Sequence, residues 1–268
     1  MLSWQTDPVR SSSAGPSNGT EVDAGALAVP TGRGNAPAMA GFLLLHGGLC
    51  RRWIWQDTAD TLVSGGHTVE ALDLPSSGVD PRCLGGLTDD VATVTRALAR
   101  SGPGTVLVGH SGAGMVLAEL ADHPAVRHSV YVAALRPERG QSAADVLGGQ
   151  LPNWVRVRPD EGVAQAGDAD VVRRALCADV EEERFLRDVY PRYVLTSLRS
   201  LVDVSSAPTA GHGTTYVVCE QDRAVPPAAQ EAMSSDADRV ERLPSSHSPL
   251  LSMPGRLAEV LDRAATES

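Results

Sequence analysis

The sequence predicts an α/β fold: a doubly wound, mostly parallel sheet with a helical cap inserted between the strands near residues 135 and 214. Three observations carry this expectation. From residue 41 onward, short and almost wholly apolar runs recur, as strands covered on both faces require. Segments with helical spacing separate those runs, the alternation that crossover helices of a parallel sheet produce. One long interval, residues 136–213, breaks the alternation.

Residues 1–38 are rich in Ser, Gly, Pro, Thr and Ala with little periodicity. They are expected to form a flexible leader, with at most a short edge strand around 26–29. The core is then expected over 39–135 and 214–268. Its apolar runs fall at 41–45, 67–72, 105–108, 130–135, 215–219 and 239–243. Helices are expected at 55–64, 88–101, 111–123, 227–234 and 254–266. In the second, Asp89 and Asp90 occupy the first turn and Arg96 and Arg100 the end, which complements a helix dipole. In the last, Leu257, Val260 and Leu261 recur at helical spacing and are expected to face the sheet. The interval 136–213 holds helical stretches at 169–176 and 180–190 and reads as a cap. Leaving one strand and returning to the next, it would cover the carboxyl edge of the sheet, where open α/β sheets bind ligands.

Composition narrows the chemistry. At 268 residues the chain is long enough to bury a substantial core. No lysine occurs, so lysine Schiff bases and the lysine-bearing phosphate loop are excluded. The net charge of -10 argues against nucleic acid and against an anionic membrane, and a small neutral molecule fits better as substrate. Cys50, Cys83, Cys177 and Cys219 have spacings that suit neither a zinc module nor a dense disulfide framework, and are read as reduced thiols. With neither a signal-peptide pattern nor a membrane-length apolar run, a cytoplasmic location is expected. The oligomeric state is left open.

The run Thr105-Val106-Leu107-Val108 leads directly into Gly109-His110-Ser111-Gly112-Ala113-Gly114 and then into the apolar Met115-Val116-Leu117-Ala118. Strand, tight turn and helix are the context of a nucleophile elbow, with Ser111 at its tip. Small residues are needed two places before and after the serine, and Gly109 and Ala113 supply them. Such a turn would also aim the Gly112 N–H, at a helix start, toward the space above the hydroxyl.

From Gly41 to the C-terminus the chain resembles the α/β-hydrolase superfamily, and within it the plant-type methylesterase and hydroxynitrile lyase group with its bacterial relatives. The resemblance rests on five segments. They are Leu45-His46-Gly47-Gly48-Leu49-Cys50 with Trp53-Ile54-Trp55, Ala71-Leu72-Asp73-Leu74-Pro75, the elbow, Glu220-Gln221-Asp222 through Pro227, and Leu243-Pro244-Ser245-Ser246-His247-Ser248-Pro249-Leu250. It implies that Gly48 gives the second oxyanion-hole N–H, beside Gly112, and that His46 orders its loop. A serine hydroxyl needs a base, and the base needs an acid to orient it. Seven histidines compete, at 46, 67, 110, 123, 128, 212 and 247. The resemblance points to His247 as base and to Asp222 as acid, with Glu220 as the alternative. Either acid keeps the order serine, acid, histidine.

What the resemblance implies is acyl transfer on a small carboxylic ester through a Ser-His-Asp triad, with no metal and no organic cofactor. Lactone opening, thioester cleavage, and acyl transfer or cyclisation by the same triad stay open. So, at greater distance, does a ligand-binding protein without useful turnover. A hydroxynitrile lyase is disfavoured, because that branch carries a threonine and a lysine where this chain has Gly47 and Ser248. Leu49 and the aromatic residues Trp154, Phe185, Tyr190 and Tyr193 are candidate pocket residues, the aromatics coming from the cap.

Overall fold

In the computed structural model, residues 39–149 and 152–266 are described, so the expected leader and its edge strand lie outside them. The chain runs through β1 (Gly41–Leu45), α1 (Gln56–Ser64), β2 (Thr68–Leu72), the two-residue β3 (Ser77–Gly78), α2 (Leu87–Ser101), β4 (Thr105–His110), α3 (Gly114–Glu119) and β5 (Val126–Val132). Next come α4 (Ala143–Val146), β6 (Val155–Arg158), β7 (Val163–Ala166), α5 (Ala169–Leu176), α6 (Glu182–Arg184), β8 (Leu195–Ser197) and α7 (Arg199–Val202). The chain then returns through β9 (Gly213–Cys219), α8 (Pro227–Met233), β10 (Arg239–Leu243), α9 (Pro249–Ser252) and α10 (Pro254–Thr266).

Six of these strands form one sheet in the order β10-β9-β5-β4-β1-β2, and every neighbouring pair is parallel. Its apolar runs are explained by burial on two faces. Phe42, Leu44, Val106, Val108, Val130, Val132 and Val217 join Leu257 and Leu261 of α10 in one core. The alternating residues Leu43, Leu45, Leu107, Tyr131, Tyr216 and Val218 join Val94 and Leu98 of α2 and Met115 and Leu117 of α3 in the other. This is the period-two consequence of strand geometry. Each fully buried leucine or valine contributes about 1.5–3 kcal/mol before conformational entropy is set against it.

Two differences from expectation concern element ends. The run expected at 130–135 is a strand over Val126–Val132, because Arg127, His128 and Ser129 continue it despite their polarity. His128 lies against the Thr215 hydroxyl at 2.8 Å and Ser129 against His212 at 2.8 Å, so those buried polar groups are partnered. The helix expected from 111 begins as a tight turn at Ser111–Ala113 and ends at Glu119.

The interval 136–213 is mixed rather than purely helical. Beside α5 and a helical stretch that loosens into a wider turn at Phe185–Val189, it contributes β6, β7 and β8 to an antiparallel sheet in the order β3-β8-β7-β6. The signal was present as Val155-Arg156-Val157-Arg158, which alternates apolar and charged residues, followed by a turn at Pro159–Glu161 and by Gly162 at φ 65°. That is a hairpin whose first strand is open to water on both faces, and a search for wholly apolar runs passes over it. Among the described residues no helix is long and apolar enough to cross a membrane. None of their His, Cys, Asp and Glu side chains form a group of three or more able to hold a metal ion.

Candidate active site

All strands of the main sheet run the same way, so their carboxyl ends meet at one edge. β4, β9 and β10 bring Ser111, Asp222 and His247 there. Ser111 follows directly on β4 with φ 55°, a left-handed backbone that a serine adopts only where the surroundings impose it. The surroundings are visible. Leu135 donates its N–H to the Ser111 carbonyl at 3.0 Å, and a Cβ on Gly114 would lie 1.9 Å from the Leu135 carbonyl oxygen. The most demanding small residue is therefore Gly114, three places after the serine, rather than Gly109 or Ala113.

The Ser111 hydroxyl is 2.9 Å from Nε2 of His247, and Nδ1 of the same ring is 2.7 Å from Oδ2 of Asp222. With a carboxylate at Nδ1, that nitrogen carries the proton and Nε2 is left to accept from the hydroxyl. Asp222 is 4 % exposed, and its remaining lone pairs are filled. Oδ1 accepts the N–H groups of Ala224 (2.7 Å) and Val225 (3.0 Å), and Oδ2 also accepts from Nε2 of Gln230 at 2.8 Å. Glu220, the alternative acid, is exposed.

The other histidines are engaged elsewhere. His46 accepts the Leu74 N–H at Nε2 (3.0 Å) and donates from Nδ1 to the Gly47 carbonyl (2.8 Å). Burial lowers its pKa to about 4. His110 donates from Nε2 to the carbonyl of His247 at 2.9 Å. Burial, and then the neighbouring His247, lower its pKa to about 3. His67 meets Asp262 on the far side of the sheet, and His123 accepts from Ala125.

Gly48 and Gly112 both border the cavity above Ser111. The Gly48 nitrogen lies 3.7 Å from where a Gly112 Cβ would stand, so the two amides share one small volume. Gly47 fits because its Cβ would come within 2.8 Å of the Ser111 Cβ. The loop is fastened from the interval 136–213: the Thr196 hydroxyl accepts the Leu49 N–H at 2.6 Å, and Val194 donates to the Leu49 carbonyl at 2.8 Å. These bonds hold Leu49 at φ 62°.

The cavity walls are mainly apolar, with Leu74, Met115, Val116, Leu135 and Leu176 among them. Of the expected pocket residues, Leu49 and Trp154 line it, and so does Tyr193. Phe185 and Tyr190 do not. Phe185 is fully buried in the core shared with α10, and Tyr190 turns its hydroxyl to the Gly167 carbonyl at 2.7 Å. Aromatic residues in a small insertion are needed first for its own core, and these two are used that way.

Several residues that build the site escaped the sequence reading. Gln230, wholly buried, clamps Asp222 and accepts the Cys219 N–H at 3.0 Å. Its only signal was an uncharged polar residue on the sheet side of α8. Asp179 accepts the Ser246 N–H at 2.9 Å and also the Ser246 hydroxyl, immediately before His247. Nothing local marks it. Asp90 stands in the first turn of α2, as expected, but does more than complement the dipole: it is buried, accepts the Ser76 N–H at 2.8 Å, and lines the cavity.

Comparison with known proteins identifies the family and the fold. Over 84 % of its length the chain is 26 % identical to the alpha/beta hydrolase nvfD of Aspergillus novofumigatus, covering 96 % of that protein. A 33 % identity to polyneuridine aldehyde esterase of Rauvolfia serpentina extends over 40 % of this chain and 44 % of the relative. Among solved structures, a pyrethroid hydrolase from Sphingobium faniae superposes with a TM-score of 0.74 at 23 % identity, over 85 % of this chain and 98 % of that one. Polyneuridine aldehyde esterase superposes with 0.71 at 22 %, over 83 % and 98 %. At those identities the superpositions establish the shared fold. The sequence pattern of the alpha/beta hydrolase family matches residues 42–260, and the chain belongs to that family.

Proposed function

We propose that this protein is a serine carboxylic ester hydrolase that works through an acyl-enzyme on Ser111, with His247 as general base and Asp222 as its orienting acid. One observation carries the reading: the unbroken chain from the Ser111 hydroxyl through both nitrogens of His247 to a buried, fully hydrogen-bonded Asp222, set at the floor of an apolar cavity. His247 takes the Ser111 proton as the oxygen attacks the ester carbonyl, and the N–H groups of Gly48 and Gly112 stabilise the oxyanion. His247 then gives the proton to the leaving alcohol. Water enters, and the same steps release the acid.

Residues 136–213 act in this reading as a cap over the sheet edge, and residues 39–135 with 214–268 as the catalytic core. The substrate is a small organic ester, in keeping with the esterases among the relatives. Labelling by a fluorophosphonate, together with turnover of short aryl esters, tests the proposal. Labelling that persists in Ser111→Ala would place the nucleophile elsewhere. A folded sample that neither labels nor turns over defeats the enzyme reading.

A further inference from the structure

The cavity above Ser111 contains one feature that acyl transfer does not use. Asp90, in the first turn of α2, is 4 % exposed and lines the same cavity as Ser111, beside Ser76, Leu87, Ser200 and Leu201. Its hydrogen-bond partners are the Ser76 N–H at 2.8 Å and the Ser76 hydroxyl. Among the described residues no arginine or histidine forms an ion pair with it. The charged groups closest in sequence and space are Asp89 and Asp203, both acids, and the Arg199 guanidinium is engaged with Asp89 at 3.5 Å. Asp203 is itself occupied by the Leu87 N–H at 2.9 Å. The amino-terminal turn of α2 and the Ser76 hydrogen bonds offset part of the cost of holding this carboxylate out of water among acids, and a ligand cation would offset the rest. Burial accordingly raises its pKa to about 6, which still leaves it ionised at neutral pH. The overall charge of -10 acts in the same direction, since it favours cationic ligands over anionic ones.

We propose that Asp90 is a cation-binding subsite of the substrate cavity, and that the ester handled at Ser111 carries a protonated amine on the part that reaches α2. The inference rests on the esterase reading for what happens at Ser111, but its test does not need turnover. The amine would replace the missing counter-charge with a charge-assisted hydrogen bond to Asp90, while the apolar walls hold the rest of the molecule. An ester with a carboxylate at that end would be repelled. This refines the neutral substrate expected from composition.

Calorimetric titration with n-hexylammonium, 1-hexanol and hexanoate at pH 7.5 reads the subsite directly. The ammonium is expected to bind about tenfold or more tighter than the alcohol, and hexanoate to bind weakest. In Asp90→Asn, which keeps an acceptor for the Ser76 N–H, the ammonium should fall to the level of the alcohol. A purely structural Asp90 would shift all three probes alike. Equal binding of ammonium and alcohol by the native protein overturns the proposal, as does an undiminished ammonium preference in Asp90→Asn.

A second measurement stands if that variant does not fold. Ammonium affinity should drop between pH 7.5 and 5 as Asp90 takes up its proton, and alcohol affinity should not. His247 also lines the cavity, so the titration is made in His247→Gln to take its imidazole out of the comparison. His46 and His110 remain neutral over this range. Ammonium affinity in His247→Gln that does not change with pH overturns the proposal. Failure of fluorophosphonate labelling, in contrast, would overturn the esterase reading and leave these binding results standing.

Discussion

The carboxyl edge of the main sheet and the interval 136–213 meet at one cavity but contribute different things to it. The sheet edge presents Ser111, His247 and Asp222, three side chains linked at 2.9 and 2.7 Å, the first and last positioned by the ends of the buried strands β4 and β9 and His247 by the loop after the edge strand β10. The interval presents no member of that chain. Its Thr196 instead holds the Leu49 amide beside Gly48, its Asp179 holds Ser246 beside His247, and its Trp154 lines the wall. The difference teaches that reacting atoms sit on the rigid element, whereas the loops carrying the oxyanion amide and the histidine are fastened from the variable one. Precision comes from both, because a displacement of about 1 Å is enough to lose much of a rate enhancement.

That division can be broken from either side. Ser111→Ala removes the attacking atom and should lower kcat for short aryl esters by roughly 10⁴-fold or more, read by steady-state kinetics. Asp222→Asn should lower kcat by about 10²–10⁴-fold, because the amide no longer holds the tautomer of His247. Glu220→Gln, at an exposed position, should stay within about twofold of the native rate. If the two acid variants lose activity equally, the sheet edge is not organised as described. Changes in the interval should be milder. Asp179→Asn and Thr196→Val are each expected to lower kcat/KM by roughly tenfold through a loosened loop, with fluorophosphonate labelling slowed but retained. Complete loss of labelling would show that the interval takes part in the chemistry itself.

The smallest effect concerns stability. His46 and His110 have pKa values lowered in the fold to about 4 and about 3, against 6.5 for an ordinary histidine. The unfolded chain therefore binds their protons first as pH falls. The stability they allow is complete above pH 6.5 and is lost progressively below it. Asp90 works the other way, since its raised pKa makes the fold take up a proton near pH 6. His128, which burial also lowers to about 4, acts with them, so three histidines against one acid leave a net loss of stability between pH 6 and 5. Urea unfolding at pH 7.5, 6 and 5 checks this, and stability that rises toward pH 5 would contradict it.

Much of this molecule was legible along the chain because the relevant interactions are short-range. Strand, turn and helix around Ser111 span about a dozen consecutive residues, and the apolar runs of β1, β4 and β9 announce burial on two faces wherever they end up, whereas the edge strand β10, with two arginines and a glutamate, does not. The order serine, acid, histidine came from the resemblance to the family, through the segments around Asp222 and His247. Which groups actually meet was not legible. Asp90 was legible as a first-turn carboxylate of α2, but its bond to Ser76 and its place on the cavity wall were not. Phe185 and Tyr193 look alike as aromatics in an insertion, yet one fills a core and the other lines the cavity. Gln230 and Asp179 act on Asp222 and Ser246 only after α8 and α5 have packed. Sequence periodicity reports which face of an element avoids water. It carries no information about which distant segment will supply a hydrogen-bond partner, and that choice is made when the layers pack and buried polar groups must be satisfied.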